Sequence, residues 1–401
     1  MNAGIRNAIS SRLLFAIIIV NLVAFLNIRI FRMYAGLSLY GNLAVLLLIF
    51  FLQNKVSRKE QDVLLFVMLF MAFGFVTLLI TDGGFGSVLT PAYSVLTYWM
   101  IRRCGLDRRR IKLLLITLLV VHLYWDIHSV GLYDEFLANE QGTLNSNTVG
   151  VVLLYSTIYI SIFIRYLKWK GSGGMLLVLY AVSIWAILNT ESRGSLITLI
   201  MFIVFDTVLP KKVWRIKSFA LLVSLAIIVL GVLFTYVYSS MYEKGISYSV
   251  PFTEKSLYSG REVIWGNFYR EVGKDEVSIF IGLGSKADLW EGHELNLHNS
   301  YLTVITNFGF TGFILFFGFW LLQLNQLYSR ISLSKTQARL IMGFLCVLIN
   351  GLIEVSMLWN IVYFFNYMFM GLAYHLSDED PDNSKEQSDE QDTAIDYHSG
   401  L

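Results

Sequence analysis

The sequence predicts an all-α polytopic membrane protein, and three observations carry that prediction. Of 401 residues, 56% belong to the apolar set before glycine is counted, against roughly 45–50% with glycine included in soluble domains. Only 15% are charged, where about 25% is ordinary, and the mean hydropathy is +0.60. The apolar residues are also gathered into runs close to the roughly 20 residues that a bilayer-spanning helix needs. This composition excludes a soluble two-domain enzyme, a disordered chain and a nucleic-acid-binding protein. Cys104 lies in a basic loop and Cys346 in an apolar run, so the two cysteines read as unpaired thiols, not as a disulfide framework.

The runs fall in order at about 13–30, 34–52, 63–80, 87–101, 112–126, 148–164, 175–190, 194–209, 218–238, 299–322, 340–357 and 360–376. That is about twelve transmembrane helices. Pro91 inside the fourth run suggests a kink there. No small-residue cleavage site follows the first run, and Arg29 and Arg32 come instead, so a spanning helix is expected in place of a cleaved signal peptide. The organisation expected is nine helices over residues 1–238, one large extracytoplasmic loop with short amphipathic helices over 239–298, three more helices over 299–376, and a tail over 377–401. The tail holds nine acids and the single base Lys385, the composition of a disordered, solvated segment.

Loop charges predict orientation. Twelve crossings put both termini on one side, and the loops of that side hold 22 Lys and Arg against nine on the other. Six of those nine lie in one long loop, where the charge rule is weak. Both termini are therefore expected in the cytoplasm, with Arg29 and Arg32 as the local exception. The segments 127–143 and 239–297, and the short turn Thr190–Arg193, then face outward. Chemistry there proceeds without ATP or sugar nucleotides, on substrates activated before export.

Charge at the edge of an apolar bundle is expensive and marks a candidate site. Arg193 lies in the near-loopless turn Thr190-Glu-Ser-Arg-Gly-Ser195 on the base-poor outer side. It reads either as an interfacial Arg that pairs with Glu191 or snorkels, or as an anion site, since its planar fork of donors suits phosphate. Arg261 opens a helix in which Ile264, Phe268 and Val272 recur every fourth residue. Such a helix can lie on the membrane surface with Arg261, Trp265 and Tyr269 on a neighbouring face. Its N–H groups favour anions, although a plain surface helix fits the pattern as well. His298 stands where the long loop re-enters the membrane, and a neutral imidazole near two Arg residues suits a general base acting on a hydroxyl. The plain alternative is a satisfied interfacial His. Glu354, near the outer end of the eleventh run, can face the same cavity or orient an arginine. Asn145 and Asn147 read as helix-start residues or as contacts to a polar ligand. His122 and His128 are placed at a helix end.

Two pattern matches are rejected. Gly282-Leu-Gly284-Ser-Lys-Ala287 fits a dinucleotide fingerprint, but an outward loop of this size cannot hold a Rossmann domain, so a tight turn is expected. His293-Glu294 with His298 is spaced i, i+5, whereas a zinc-protease helix needs i, i+4; no metal site is assigned.

Three of these segments, in this order, resemble the O-antigen ligase and Wzy-type polysaccharide polymerase superfamily. They are Thr190-Glu-Ser-Arg-Gly-Ser-Leu196, Ser259-Gly-Arg-Glu-Val-Ile-Trp265 followed by Gly282-Leu-Gly284, and Leu297-His-Asn-Ser-Tyr-Leu302 followed by Asn307-Phe-Gly-Phe-Thr-Gly312. The resemblance covers roughly Asn145 to Glu354. It implies an inverting, metal-independent, GT-C-like membrane glycosyltransferase without a cofactor, in the bacterial inner membrane. Its donor would be a glycan on undecaprenyl diphosphate, delivered by a flippase. By this analogy Arg193 and Arg261 hold the diphosphate and His298 deprotonates the acceptor hydroxyl. Glu354, Asn145, Asn147, Trp265, Asn299 and Tyr301 would support the site or touch substrate. A polymerase, acting with a flippase and a chain-length regulator, is the leading expectation; a ligase with another acceptor is the alternative. A transporter or flippase is disfavoured because the halves show no internal repeat and few charges lie deep in the runs.

Overall fold

The computed structural model describes residues 3–27, 35–53, 60–81, 83–132, 146–246, 260–287, 289, 297–330, 333–358 and 363–376. Among them the chain forms fifteen α-helices and no strand. The first half contains α1 (Ala3–Ala24), α2 (Ala35–Gln53), α3 (Gln61–Ile80), α4 (Phe85–Cys104), α5 (Arg108–His128) and α6 (Ser146–Tyr166). Then come α7 (Ser172–Asn189), α8 (Arg193–Thr207), the single turn α9 (Lys211–Trp214) and α10 (Lys217–Glu243). Two short helices, α11 (Arg261–Val272) and α12 (Glu276–Ile281), precede α13 (Ser300–Arg330), α14 (Lys335–Asn350) and α15 (Tyr363–Ala373). Each of the twelve apolar runs coincides with one of the longer helices. Among the described residues, seven helices are long and apolar enough to cross a membrane by length and composition. The chain is an all-α, multi-pass membrane protein.

Local chemistry sets several boundaries. Asp107 caps α5 by accepting from the Arg110 N–H at 2.8 Å. Ser334 and Gln337 form a reciprocal capping box at the start of α14, with bonds of 3.2 and 2.8 Å. Gly105, in a left-handed conformation, stops α4. The helix containing Pro91 runs unbroken despite the donor it lacks.

Burial ranks the helices. In its most apolar window α6 is 94% buried, whereas α3 and α7 are 28% buried, so α6 is the central post and the other two lie at the periphery. Exposed apolar side chains such as Leu65 and Leu69 on α3, Leu177 and Val178 on α7, and Leu222 and Leu230 on α10 form faces that water would not tolerate and lipid would. Aromatic pairs close the centre: Tyr159 stacks on Phe369 at 3.9 Å and Trp320 on Tyr367 at 4.5 Å.

Four features differ from the sequence expectation. First, α10 continues to Glu243, past the expected end at 238, because its last turns pack against α11. Second, α13 is one helix only in outline. Gly309 breaks it with φ +61° and ψ −172°, and the turn after α12 enters the break, where Leu283 and Gly284 donate to Thr306 O at 2.7 and 2.9 Å. That turn is the rejected dinucleotide match, a tight turn with Gly282 and Gly284 at φ +96° and +91°. Third, the eleventh run stops being helical at Asn350; residues 351–355 are turns and Ser356–Leu358 is a single 3₁₀ turn. Fourth, His122 is not at a helix end. Helix α5 runs on to His128, which leaves His122 buried inside the bundle, 2.8 Å from Ser156 Oγ, 3.0 Å from Ser183 Oγ and 3.4 Å from Asp126 Oδ2.

The crossing at Gly309 yields a prediction. A Cβ there would sit 2.3 Å from the Phe280 carbonyl carbon, on a backbone with positive φ. Gly309→Ala is expected to lose about 1–3 kcal/mol or more, read as a lower thermal midpoint of the detergent-solubilised protein. Gly318→Ala, in the same helix with open space around its Cβ, is expected to leave the midpoint unchanged or higher. Equal effects would remove the crossing as the cause.

Candidate active site

The segment after α14 holds the most demanding group in the molecule. Glu354 has a side chain only 2% exposed, and a buried carboxylate needs partners. Arg261, the first residue of α11, supplies one through Nη2 to Oε1 at 3.1 Å. Its Nη1 also donates to Ile353 O at 2.7 Å, so one guanidinium holds both the carboxylate and the backbone beside it. His298 Nδ1 lies 3.5 Å from the other oxygen, Oε2. Glu354 therefore bridges Arg261 and His298, which remain partly exposed at 20% and 24% of their side chains. Three residues far apart in sequence meet at one carboxylate.

The backbone around this bridge is irregular and held from several sides. Ser300 Oγ donates to Glu354 O at 2.8 Å, and Ser300 N donates to Gly351 O at 2.8 Å. Asn299 Nδ2 donates to Leu352 O at 2.9 Å and to Gly231 O on α10 at 3.1 Å. Asn366 Nδ2 and Tyr367 OH donate to Ser356 O and Met357 O at 2.6 and 2.9 Å. Non-helical backbone at membrane depth is tolerated only where the protein satisfies it or where it lines a cavity; here side chains at the start of α13 and on α15 do so.

His298 itself has φ +49°, a left-handed conformation that costs a non-glycine residue about 1–3 kcal/mol. It is pinned on both sides. Trp265 Nε1 donates to Leu297 O at 2.7 Å. On the other side Asn299 caps α13, its Oδ1 accepting from Leu302 N at 2.8 Å. The conformation turns the imidazole out of the helix line and toward Glu354. Nδ1 faces the carboxylate, and the tautomer with its proton on Nδ1 leaves a lone pair on Nε2, the arrangement a general base needs.

Arg193 is the first residue of α8, exposed, and without an ion-pair partner among the described residues; it does not pair with Glu191. The preceding turn satisfies itself: Ser192 Oγ donates to Ser195 Oγ at 2.9 Å and Thr190 Oγ1 to Ile187 O at 2.8 Å. The turn is pressed on α6, where a Cβ at Gly150 would lie 2.4 Å from Ser192 Cβ. Next to Arg193, a Cβ at Gly194 would lie 3.1 Å from Ile353 Cγ2, so the start of α8 packs on the residue that precedes Glu354. Arg193 thus stands at the same end of the bundle as the bridge, with its donors unspent among the described residues.

The other candidates separate by burial. Trp265 is 2% exposed, an internal strut and not an open contact surface. Asn299 and Tyr301 are fully buried; Tyr301 OH donates to Leu348 O at 2.8 Å, and its ring stacks on Phe317 at 4.9 Å. Helix α11 does not lie free on a surface: Tyr269 OH bonds Thr235 on α10 at 2.7 Å, and burial pushes its phenol up to about 12. Asn147 is half-buried near the start of α6, one turn before Gly150. Asn145, His293, Glu294 and the acidic tail lie outside the described residues. Ser300 and the Ile353 carbonyl were not foreseen. Asn350, Gly351, Glu354 and Ser356, clustered within an apolar run, are the sequence sign of the broken helix that presents them.

Comparison with known families follows this geometry. Residues 176–317, from α7 through the first half of α13, match the family model Wzy_C, described as O-antigen ligase. The chain thus carries a domain of that family, consistent with the O-antigen ligase and Wzy superfamily. The match takes in Arg193, Arg261 and His298, while Glu354 falls outside it. Comparison with curated proteins gave no match. The family implies a glycosyltransferase-like ligase or polymerase acting on lipid-linked glycans.

The bridge is testable by stability alone. A double-mutant cycle of Arg261→Lys and Glu354→Gln, read by thermal unfolding in detergent, is expected to show a coupling of about 1–3 kcal/mol. Additivity within about 0.3 kcal/mol would mean that the pair does not form.

Proposed function

We propose that this protein is an inverting glycosyltransferase that polymerises glycan repeat units carried on undecaprenyl diphosphate, at the outer face of the bacterial cytoplasmic membrane. The observation that carries the reading is the Glu354 bridge, which sets the His298 imidazole beside the Arg261 guanidinium. Arg193 stands at the end of α8 that packs on the same segment.

In the proposed step a hydroxyl oxygen of the acceptor sugar attacks the anomeric carbon of the donor from the face opposite the diphosphate. The new C–O bond forms as the bond to the diphosphate oxygen breaks, which inverts the configuration. His298 Nε2 takes the hydroxyl proton. The leaving diphosphate keeps the bonding pair, and Arg193 and Arg261 neutralise the charge as it develops, usually the largest single contribution to such a step. Glu354 stabilises the imidazolium and holds Arg261 in place. No cofactor enters the scheme. The excess of Lys and Arg in alternate loops supports cytoplasmic termini and an outward-facing site, where the lipid-linked donor would be delivered by a flippase and product length set by a separate regulator.

A ligase is the second reading, favoured by the description of the matched family as O-antigen ligase. It uses the same donor and leaving group and differs only in the acceptor.

His298→Ala is expected to reduce glycan transfer by about 10²–10⁴-fold, and Arg193→Lys, which replaces a fork by a point charge, by about 10–100-fold, with insertion and thermal midpoint retained. Wild-type transfer in both variants would sink the mechanism. Deletion followed by gel analysis of surface glycan separates the acceptors. Single repeat units on their normal anchor mark a lost polymerase, and long polymer stranded on the carrier lipid marks a lost ligase.

A further inference from the structure

The helices that carry the site also carry a second cluster of charge at their opposite ends. Helix α8 runs from Arg193 to Thr207, about 22 Å at 1.5 Å per residue, and near its far end is Asp206, whose side chain is 1% exposed. Three cations converge on it. Arg165, at the end of α6, reaches Oδ2 through Nη2 at 2.7 Å. Arg339, in the first turns of α14, reaches Oδ1 through Nε at 3.0 Å. Lys211 of α9 reaches Oδ1 at 3.2 Å and also bonds the Asp206 carbonyl. Tyr180 OH of α7 donates to Oδ2 at 3.4 Å.

One carboxylate against three cations leaves a surplus of two positive charges, drawn into the bundle with side chains only 14–22% exposed. Asp206 organises the three but cannot neutralise them. Burial, with Arg339 and Arg165 alongside, outweighs Asp206 and pushes the Lys211 ammonium below its ordinary value. Donors are also left over. Arg165 Nε is buried with no acceptor among the described residues, and Arg339 spends only Nε on Asp206. Two guanidiniums with unspent planar donors, beside an ammonium, are the chemistry that receives a phosphate. Position selects the kind of phosphate. At about 22 Å helix α8 is shorter than the roughly 30 Å hydrocarbon core of a bilayer, so these charges sit at headgroup depth or slightly within it. Exposed Lys212, Arg215 and Lys217 surround them on the same side. Basic pockets between transmembrane helices at that level suit anionic headgroups.

We propose that Arg165, Lys211 and Arg339, gathered by Asp206, form a binding site for the phosphate of an anionic phospholipid headgroup at the end of the bundle opposite the candidate active site. This assignment stands apart from the catalytic reading and survives if that reading fails.

The test uses the full-length protein in detergent micelles containing phosphatidylglycerol or phosphatidylcholine, with native mass spectrometry to count retained lipid and thermal unfolding to read stabilisation. Wild type should retain phosphatidylglycerol preferentially and gain thermal stability from it. The double variant Lys211→Gln/Arg339→Gln leaves Arg165 and Asp206 as a neutral pair. It should lose that preference by about fivefold for each cation removed, the equivalent of about 1 kcal/mol apiece. Arg109→Gln/Lys112→Gln, which removes two exposed cations from the adjacent part of α5, should keep the preference; an equal loss there would reveal diffuse attraction and overturn the site. Inorganic phosphate added to phosphatidylcholine micelles should not reproduce the stabilisation; if it does, the ligand is free phosphate and the lipid assignment is overturned.

Discussion

A single buried carboxylate organises one end of this molecule. Glu354 cannot stay ionised in an apolar bundle without partners, and both of its partners come from outside its own segment: Arg261 from α11 and His298 from the junction before α13. To present that carboxylate, the chain after α14 gives up its helix, and the backbone groups so freed are met by Ser300, Asn299, Asn366 and Tyr367. The left-handed conformation of His298 is the counterpart of this arrangement. Its cost is local, and it is offset by the buried bonds of Trp265 and Asn299 on either side.

The same helices tie the two ends of the bundle together. Helices α6, α8 and α14 each begin or end near the Glu354 segment and carry Arg165, Asp206 and Arg339 at the other end. In each place a buried acid gathers bases from several elements, but the balance of charge differs. Glu354 faces one guanidinium and one imidazole, whereas Asp206 faces three full cations. A third buried acid, Asp126, lies 3.4 Å from His122 within the bundle. Each of these three acids lies beside a base, as a low-dielectric interior demands of buried charge.

Glycines set the close approaches that bring the elements to these positions. Gly309 and Gly282 let the turn after α12 enter the break in α13, and Gly194 lets α8 pack on Ile353. The turn after α12 is thereby locked to α13 through one backbone crossing, and α11 delivers Arg261 to Glu354 as a fixed strut.

The linear sequence determined the membrane class, the position of every long helix, and the identity of the residues worth attention, because a bilayer punishes both short apolar runs and stray charge. Arg193, Arg261, His298 and Glu354 stood out for that reason alone. What tertiary structure decided was their relations. Glu354 stands between the other two, since only the fold brings Arg261 within 3.1 Å and His298 within 3.5 Å of its carboxylate. Trp265, Asn299 and Tyr301 share the motif neighbourhood yet are internal struts, a distinction that depends on burial and that composition cannot express. Asp206 sat inside an apolar run without drawing notice, and His122 was placed at a helix end, because their partners lie on other helices. Helical periodicity and hydropathy are local properties, readable from neighbours in sequence. The pairing of buried charge is non-local, and it is settled only when the helices pack.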